Sequence, residues 1–259
     1  MHDSLKDKRV VVTAAGAGIG KAIAEAFQAA GARVHVCDSD AGSLAALRRA
    51  APEIGATPAD VSDPAQVERL FDEALTGLGG LDVLVNNAGI AGPIGEIEDC
   101  TPEAWRRTLA VNLDGQFYCL RRAVPALKQA GGGSIVNIAS TAGLRGYPLR
   151  APYAAAKWAV VGLTRSLAIE LGPHKIRVNA VCPGSVAGPR MERVIAAEAA
   201  ARGLSAQAVR QGYLRQTSLR CFVSAVDIAN MVLFVCSDAG AKISGQALSV
   251  DGNTESLGN

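Results

Sequence analysis

Arg9-Val10-Val11-Val12-Thr13-Ala14-Ala15-Gly16-Ala17-Gly18-Ile19-Gly20 begins as a β-branched apolar run and ends in a glycine-rich turn. Continuous apolar runs of this kind fit strands covered on both faces. Glycines between a strand and a helix let the backbone approach a pyrophosphate, which the positive end of that helix stabilises. The glycines fall at 16, 18 and 20 rather than in the strict Gly-x-Gly-x-x-Gly pattern. The turn alone therefore fits both a nucleotide loop and ordinary tight-turn chemistry. A helix is expected from about Lys21.

The same strand-then-helix order recurs along the chain. Further strand candidates are Arg33–Cys37, Ala56–Asp60, Val83–Asn86, Ser134–Ala139, Arg177–Cys182 and a short one near Ala247–Val250. Asp63-Pro64 and Thr101-Pro102 each set a capping side chain before a proline at the first helical position. Ser224-x-x-Asp227 has the pattern of a capping box. Repeated β–α alternation predicts an α/β fold with a doubly wound parallel sheet and right-handed crossovers. With no linker, repeat or low-complexity tract, residues 1–259 read as one domain. Residues 188–222 interrupt the alternation with extra helical sequence.

Composition excludes several classes of function. Apolar residues make up 49% and charged residues 19%, and the net charge of +2 gives no electrostatic basis for a nucleic-acid partner. No apolar stretch is long enough to span a bilayer, and the N-terminus is charged rather than signal-like, so a cytoplasmic location is expected. Six cysteines occur without a Cys-x-x-Cys pair, and three histidines without a metal-ligand spacing, so no metal is expected. A Gly-x-Ser-x-Gly nucleophile turn is also lacking.

Two further features point to chemistry. The second strand closes on Asp38, eighteen residues past Gly20. In a dinucleotide fold an acid there accepts hydrogen bonds from the adenosine ribose hydroxyls and repels a 2′-phosphate. Ala17 and Ser39 supply no cation to offset it, so NAD is favoured over NADP. Tyr153-Ala154-Ala155-Ala156-Lys157, in a helix-favouring setting, places a phenol and an ammonium on one helical face. At about 4–5 Å and an effective dielectric near 20, the ammonium stabilises a phenolate by roughly 3–4 kcal/mol. That is enough to lower a tyrosine pKa of ~10 by about 2–3 units, against the opposing effect of desolvation. Alone, such a pair is equally a surface feature of a helix.

Thr13…Gly18-x-Gly20, Asp60-Val61, Asn86-Asn87-Ala88-Gly89, Asn112, Ser140, Tyr153-x-x-x-Lys157 and Pro183-Gly184 follow one another over nearly the whole chain. In that combination the sequence resembles the short-chain dehydrogenase/reductase family, compact single-domain branch. The resemblance implies a Rossmann-type sheet of about seven strands and a nicotinamide cofactor. The cofactor residues it implies begin with the turn residues Gly16, Gly18, Ile19 and Gly20, with Asp38 on the ribose and Asp60 and Val61 at the adenine. Asn87, Ala88 and Gly89 follow the fourth strand, and Pro183, Gly184 and Val186 follow the sixth. Tyr153 becomes the general acid–base, Lys157 lowers its pKa and binds the nicotinamide ribose, and Ser140 orients the substrate oxygen. Asn112 holds a water linking Lys157 to solvent, or simply makes a helix hydrogen bond. Three positions depart from the family pattern: Ala14 replaces the first glycine, Gly188 a threonine, and Asn253 the third residue of Asp-Gly-Gly. A homotetramer assembled through the helices after the fourth and fifth strands is implied as well.

Segment 190–220 holds six arginines against Glu192 and Glu198. The resemblance makes it a mobile substrate cover, with Arg145 and Arg150 adding charge near the pocket mouth. Arg150 and Arg190 are candidates to pair with a substrate carboxylate, sulfonate or phosphate; solvated helix faces or subunit contacts are the alternative. Met191, Ile195, Leu204, Tyr213 and Phe222 line the pocket or form core. The leading expectation is an NAD-dependent oxidoreductase acting on a small-molecule secondary alcohol, a hydroxy acid or sugar derivative included. A second is a 3-oxoacyl-[acyl-carrier-protein] reductase, docking its carrier on Arg106, Arg107, Arg121, Arg122 and Lys128. A third is a nucleotide-binding regulator without catalysis.

Overall fold

All seven expected strands are present in the computed structural model, which describes residues 3–257. Met1, His2, Gly258 and Asn259, the ends of the 1–259 assignment, lie outside the described residues. The strands are β1 (Arg9–Val12), β2 (Arg33–Asp38), β3 (Gly55–Pro58), β4 (Val83–Asn86), β5 (Gly133–Ile138), β6 (Ile176–Pro183) and β7 (Ala247–Val250). They form one sheet in the order β3-β2-β1-β4-β5-β6-β7, every pair parallel. The chain winds outward from β1 to β3, then returns to β4 on the other side of β1. That reversal opens a crevice beyond the carboxyl ends of β1 and β4, where doubly wound sheets bind ligands.

Strand periodicity divides the interior into two cores. Val10 and Val12 enter one, with Ile23 and Phe27 of α1 (Gly18–Ala29) and Val232 of α9 (Ala225–Cys236). Val11 enters the other, with Leu70 and Phe71 of α3 (Pro64–Leu78) and Leu120 of α5 (Gly115–Gln129). The expected caps form. Asp63 accepts from Ala65 N and Gln66 N, Thr101 caps α4 (Pro102–Leu109) through Ala104 N, and Ser224 and Asp227 close a capping box. Helix α1 starts at Gly18, three residues before the expected Lys21, because the Lys21 amide already donates to the carbonyl of Ala17, the N-cap, at 3.2 Å.

Helix α6 (Ala151–Leu171), which carries Tyr153 and Lys157, is tied to the sheet by a buried polar chain. Asn86 Nδ2 donates to Asn137 Oδ1, and Asn137 Nδ2 to Thr164 Oγ1, each at 3.0 Å. Between β6 and α9 the alternation is broken by α7 (Pro189–Arg202) and α8 (Ala206–Arg215). These pack on one another through Met191, Ile195, Ala199, Val209 and Tyr213, a small core separate from those on the sheet. No described helix is long and apolar enough to cross a membrane.

One buried histidine makes the sheet edge acid-sensitive. His35 Nε2 lies 2.9 Å from Thr57 Oγ1, whose hydroxyl donates to Glu73, so Nε2 carries a proton and donates it to Thr57. Burial pushes the His35 pKa down to about 4; Glu73 opposes the shift and Arg48 adds to it. The unfolded chain therefore binds the extra proton more readily, and stability falls as pH drops from about 6.5 toward 4. Thermal melts of the wild type should show a loss of about 2 kcal/mol between pH 7 and pH 5 from this group. In His35→Gln that part of the pH dependence should vanish; an unchanged profile would reject it.

Candidate active site

The ends of β1 and β4 are stitched by side chains. Thr13 Oγ1 accepts from the amides of Asn87 and Ala88, both at 3.0 Å, and Asn87 Nδ2 donates to the carbonyls of Thr13 and Ala14 at 2.9 Å. A Cβ on Gly20 would lie 2.3 Å from the Ala14 carbonyl, so only glycine lets α1 sit against this seam. Ala14, the departure noted above, is held at φ +51° and does tolerate its Cβ there. Asn253 likewise takes φ +60°, a region asparagine enters more easily than most residues. Gly188 adopts φ +138° at the start of α7, a conformation that a threonine would find strained.

A cleft of about 530 Å³ runs along these strand ends. At one end it is lined by Ala17, Gly18, Ile19 and Asp38. Asp38 Oδ2 accepts from Gly16 N and Oδ1 from Asp40 N, both at 2.9 Å, so the carboxylate is pinned before any ligand arrives. Space beside Gly18 is open, and no side chain caps the first turn of α1. Open backbone amides, a glycine cradle and an oriented carboxylate fit a dinucleotide. Asn87, Gly89, Pro183, Gly184 and Val186 also line the cleft.

The other end holds Ser140, Tyr153 and Lys157 together. Ser140 caps a short 3₁₀ turn after β5, Thr141–Gly143, accepting from Ala142 N at 3.1 Å, and hydrogen-bonds Tyr153. Lys157 is buried, donates to the Ile138 carbonyl at 2.9 Å, and lies 5.8 Å from the Tyr153 ring centroid. Burial raises the Tyr153 pKa, but Lys157, Arg190, the Ser140 hydrogen bond and Arg150 together outweigh it, leaving the phenol below its ordinary value. Lys157 is itself lowered, by burial first and then by Arg190, with Tyr153 opposing.

Gly16, Gly20, Asp60, Val61, Ala88 and Asn112 lie outside the cleft lining. Gly16 and Gly20 act from behind it, as an amide donor to Asp38 and as a close-packing site. Asp60 is turned away to Ser62 and to Arg107, which pairs with it at 2.9 Å. Asn112 sits fully buried in a π-helical stretch, Ala110–Asp114, joining α4 and α5. Its side chain exchanges two 3.0 Å hydrogen bonds with the backbone of Ile90, which ties the π-helical stretch to the loop after β4. A Cβ on Gly89 would lie 2.6 Å from Asn112 Oδ1 and 3.4 Å from Lys157 Nζ, which leaves room for glycine only between them.

Arg150 is not at the pocket mouth as expected from the sequence. It is 4% exposed, inside the cleft wall. Arg145 is exposed and outside the lining, while Arg190 is exposed on the first turn of α7 and lines the cleft. Other arginines of the segment are engaged: Arg202 with Glu198, Arg210 with Glu192, and Arg220 with nearby carbonyls. Met191 and Tyr213 are both lining and core; Ile195 is core, Phe222 packs beside it, and Leu204 is exposed. Tyr147 lines the cleft without having been picked out from the sequence, and its hydroxyl lies 3.0 Å from that of Tyr213. No spacing or periodicity marks it, since it sits in an irregular loop.

An open nucleotide cradle at one end of a cleft and a phenol–ammonium pair at the other define a dinucleotide-binding α/β protein equipped for proton exchange. Comparison with known proteins makes the class specific. Residues 13–253 match a family model described as enoyl-(acyl carrier protein) reductase. The chain is 34% identical to a D-beta-hydroxybutyrate dehydrogenase of Rhizobium meliloti, over 95% of this chain and 97% of that one. It is 37% identical to 2-(S)-hydroxypropyl-CoM dehydrogenase 3 of Xanthobacter autotrophicus, over 99% and 100%. A crystal structure of a 3-ketoacyl-(acyl-carrier-protein) reductase from Brucella melitensis, complexed with NADH, superposes with a TM-score of 0.87 at 32% identity, covering 97% of this chain and 100% of that one. The chain belongs to the short-chain dehydrogenase/reductase family.

Proposed function

We propose that the protein is an NAD-dependent dehydrogenase interconverting a secondary alcohol and its ketone, with Tyr153 as the general acid–base. The observation that carries this is a phenol held below its ordinary pKa beside buried Lys157, in the same cleft as the pinned Asp38. NAD, when bound, supplies the two-electron acceptor for the carbinol carbon. Tyr153 Oη takes the carbinol proton in oxidation and returns it in reduction, and Ser140 hydrogen-bonds the same substrate oxygen. Lys157 keeps the phenolate accessible at moderate pH. Asn112 is a positioning residue, fixing the loop at Ile90 against which Gly89 and Lys157 pack. Gly18, Ile19 and the α1 amides take the pyrophosphate, Asp38 the adenosine ribose, and Pro183, Gly184 and Val186 the nicotinamide end. Helices α7 and α8 cover the substrate.

The dehydrogenase relatives and the NADH-bound neighbour support this activity and cofactor. A carrier-protein reductase draws less support from the surface. Of its five docking cations, Arg106, Arg107 and Arg122 already pair with Glu103, Asp60, Glu68 and Asp72. Cofactor choice does not separate the two activities, because the neighbouring reductase is itself complexed with NADH; substrate does. Exposed Phe117 on α5 and Trp158 and Ile169 on α6 support a homotetramer joined through these helices. The test is NADH formation, followed by absorbance, across secondary alcohols, hydroxy acids and polyols. Turnover with NAD is expected; reduction of acyl-carrier thioesters alone would favour the second activity, and no turnover at all the regulator.

A further inference from the structure

Arg150 is the N-cap residue of α6, and its guanidinium is only partly hydrogen-bonded. Nη2 donates to the Ala91 carbonyl at 3.1 Å, whereas Nε and Nη1 are buried with no hydrogen-bond partner among the described residues. No ion pair among the described residues includes it. Glu198, the lid carboxylate whose charge reaches neighbouring Tyr147, is taken by Tyr213 at 2.6 Å and Arg202 at 2.7 Å. What the guanidinium has instead are two ring faces, Tyr147 at 5.3 Å and Tyr153 at 5.6 Å from Cζ to centroid. Ring faces compensate a buried cation only in part. A desolvated charge with open donors is costly unless an anion completes it.

The position of Arg150 is not accidental. Asn112 holds Ile90 through both of its amide groups, and the next residue, Ala91, supplies the carbonyl that Arg150 uses. The guanidinium is thereby fixed beside Tyr153, at the opposite end of the cleft from the α1 amides and Asp38. The cofactor pyrophosphate is thus not its partner. Arg190, exposed across the cleft, adds positive charge over the same end.

We propose that Arg150 binds a small oxyanion, carboxylate or sulfonate, on the substrate, so that the alcohol is a compact secondary hydroxy acid with its anion close to the carbinol. This deepens the dehydrogenase assignment and presupposes Tyr153 as its acid–base. Charge-assisted hydrogen bonds from the open Nε and Nη1 would complete the ion pair and draw the carbinol toward Tyr153.

Calorimetry on the NAD-loaded enzyme tests it with butyrate and propanesulfonate as anionic probes and butyramide as the neutral one. Both anions should bind the wild type at least about tenfold more tightly than the amide, and Arg150→Gln should abolish that preference, a loss of about 10–100-fold. Arg150→Lys, which keeps the charge but not the fork, should retain part of it. In turnover, kcat/KM for β-hydroxybutyrate should fall at least about tenfold further in Arg150→Gln than kcat/KM for its methyl ester. Arg150→Met, which keeps the aliphatic stem, replaces the glutamine variant if melting shows that it does not fold. Equal binding of butyrate and butyramide by the wild type overturns the proposal, as does a folded glutamine or methionine variant that still prefers the anion. Turnover of neutral alcohols without anion preference would reject the subsite and leave the dehydrogenase standing. Anion binding through Arg150 without NADH formation from any alcohol would do the reverse.

Discussion

Tyr153→Phe is expected to lower kcat for alcohol oxidation by about 10²–10⁴-fold, the usual contribution of a positioned proton-transfer group. Only one hydroxyl is lost, and the ring stays packed at the start of α6, so fold and NADH affinity should stay close to wild type. Fluorescence titration with NADH and stopped-assay kinetics on the same preparation separate the two effects. Near-normal turnover in the variant would remove Tyr153 from the reaction. The wild-type pH profile adds a second check. Burial pushes the phenol up, and Lys157, Arg190, Ser140 and Arg150 bring it below its ordinary value, so the phenolate needed for oxidation forms at lower pH than a free tyrosine would allow. Oxidation should therefore rise with pH to a plateau whose midpoint lies under ~10. Replacing Lys157 by methionine removes the largest of the lowering influences and should move that midpoint upward.

Asp38→Ala should carry the second largest effect, on the choice of dinucleotide. The wild-type carboxylate is held by Gly16 N and Asp40 N, so it meets the ribose hydroxyls without losing side-chain freedom on binding. Hydrogen bonds to a charged group of this kind are worth about 1.5–3 kcal/mol, so KM for NAD should rise about 10–100-fold. NADP should improve at the same time, because the repulsion of its 2′-phosphate is gone. With neither Ala17 nor Ser39 able to supply a cation, NADP use should still fall short of the original NAD activity. Steady-state kinetics with both cofactors measures the ratio; an unchanged ratio would mean Asp38 does not face the ribose.

The sheet was readable in the sequence because most strands carry a short apolar run set off by a capped helix or a turn, Gly55–Pro58 being the exception. Val83–Asn86 and Ala247–Val250 match to the residue. Helix α1 starts three residues before Lys21 because the Lys21 amide already closes the first helical hydrogen bond, to the Ala17 carbonyl. At the site, Ser140, Tyr153 and Lys157 were legible because motif order places them at strand ends and on one helical face. Arg150 lines the cleft, as a substrate-contact candidate must, but buried in its wall rather than near its mouth. An arginine in a polar loop reads as solvated, and nothing local reveals that Ala91 and two tyrosine rings enclose it. The link from Asn112 to Ile90 spans 22 residues of chain, a contact only the tertiary fold creates and no local pattern reveals.

Helices α7 and α8 satisfy their apolar side chains mainly against each other. The sheet that grips the nucleotide should therefore be thermodynamically insulated from changes in them. Apart from Arg190, whose charge acts on Tyr153 and Lys157, sequence drift in this hairpin can re-cut the cleft wall while Ser140, Tyr153 and Lys157 stay in place. For an engineer, that makes residues 191–215 the exchangeable cassette and everything before β6 the chassis.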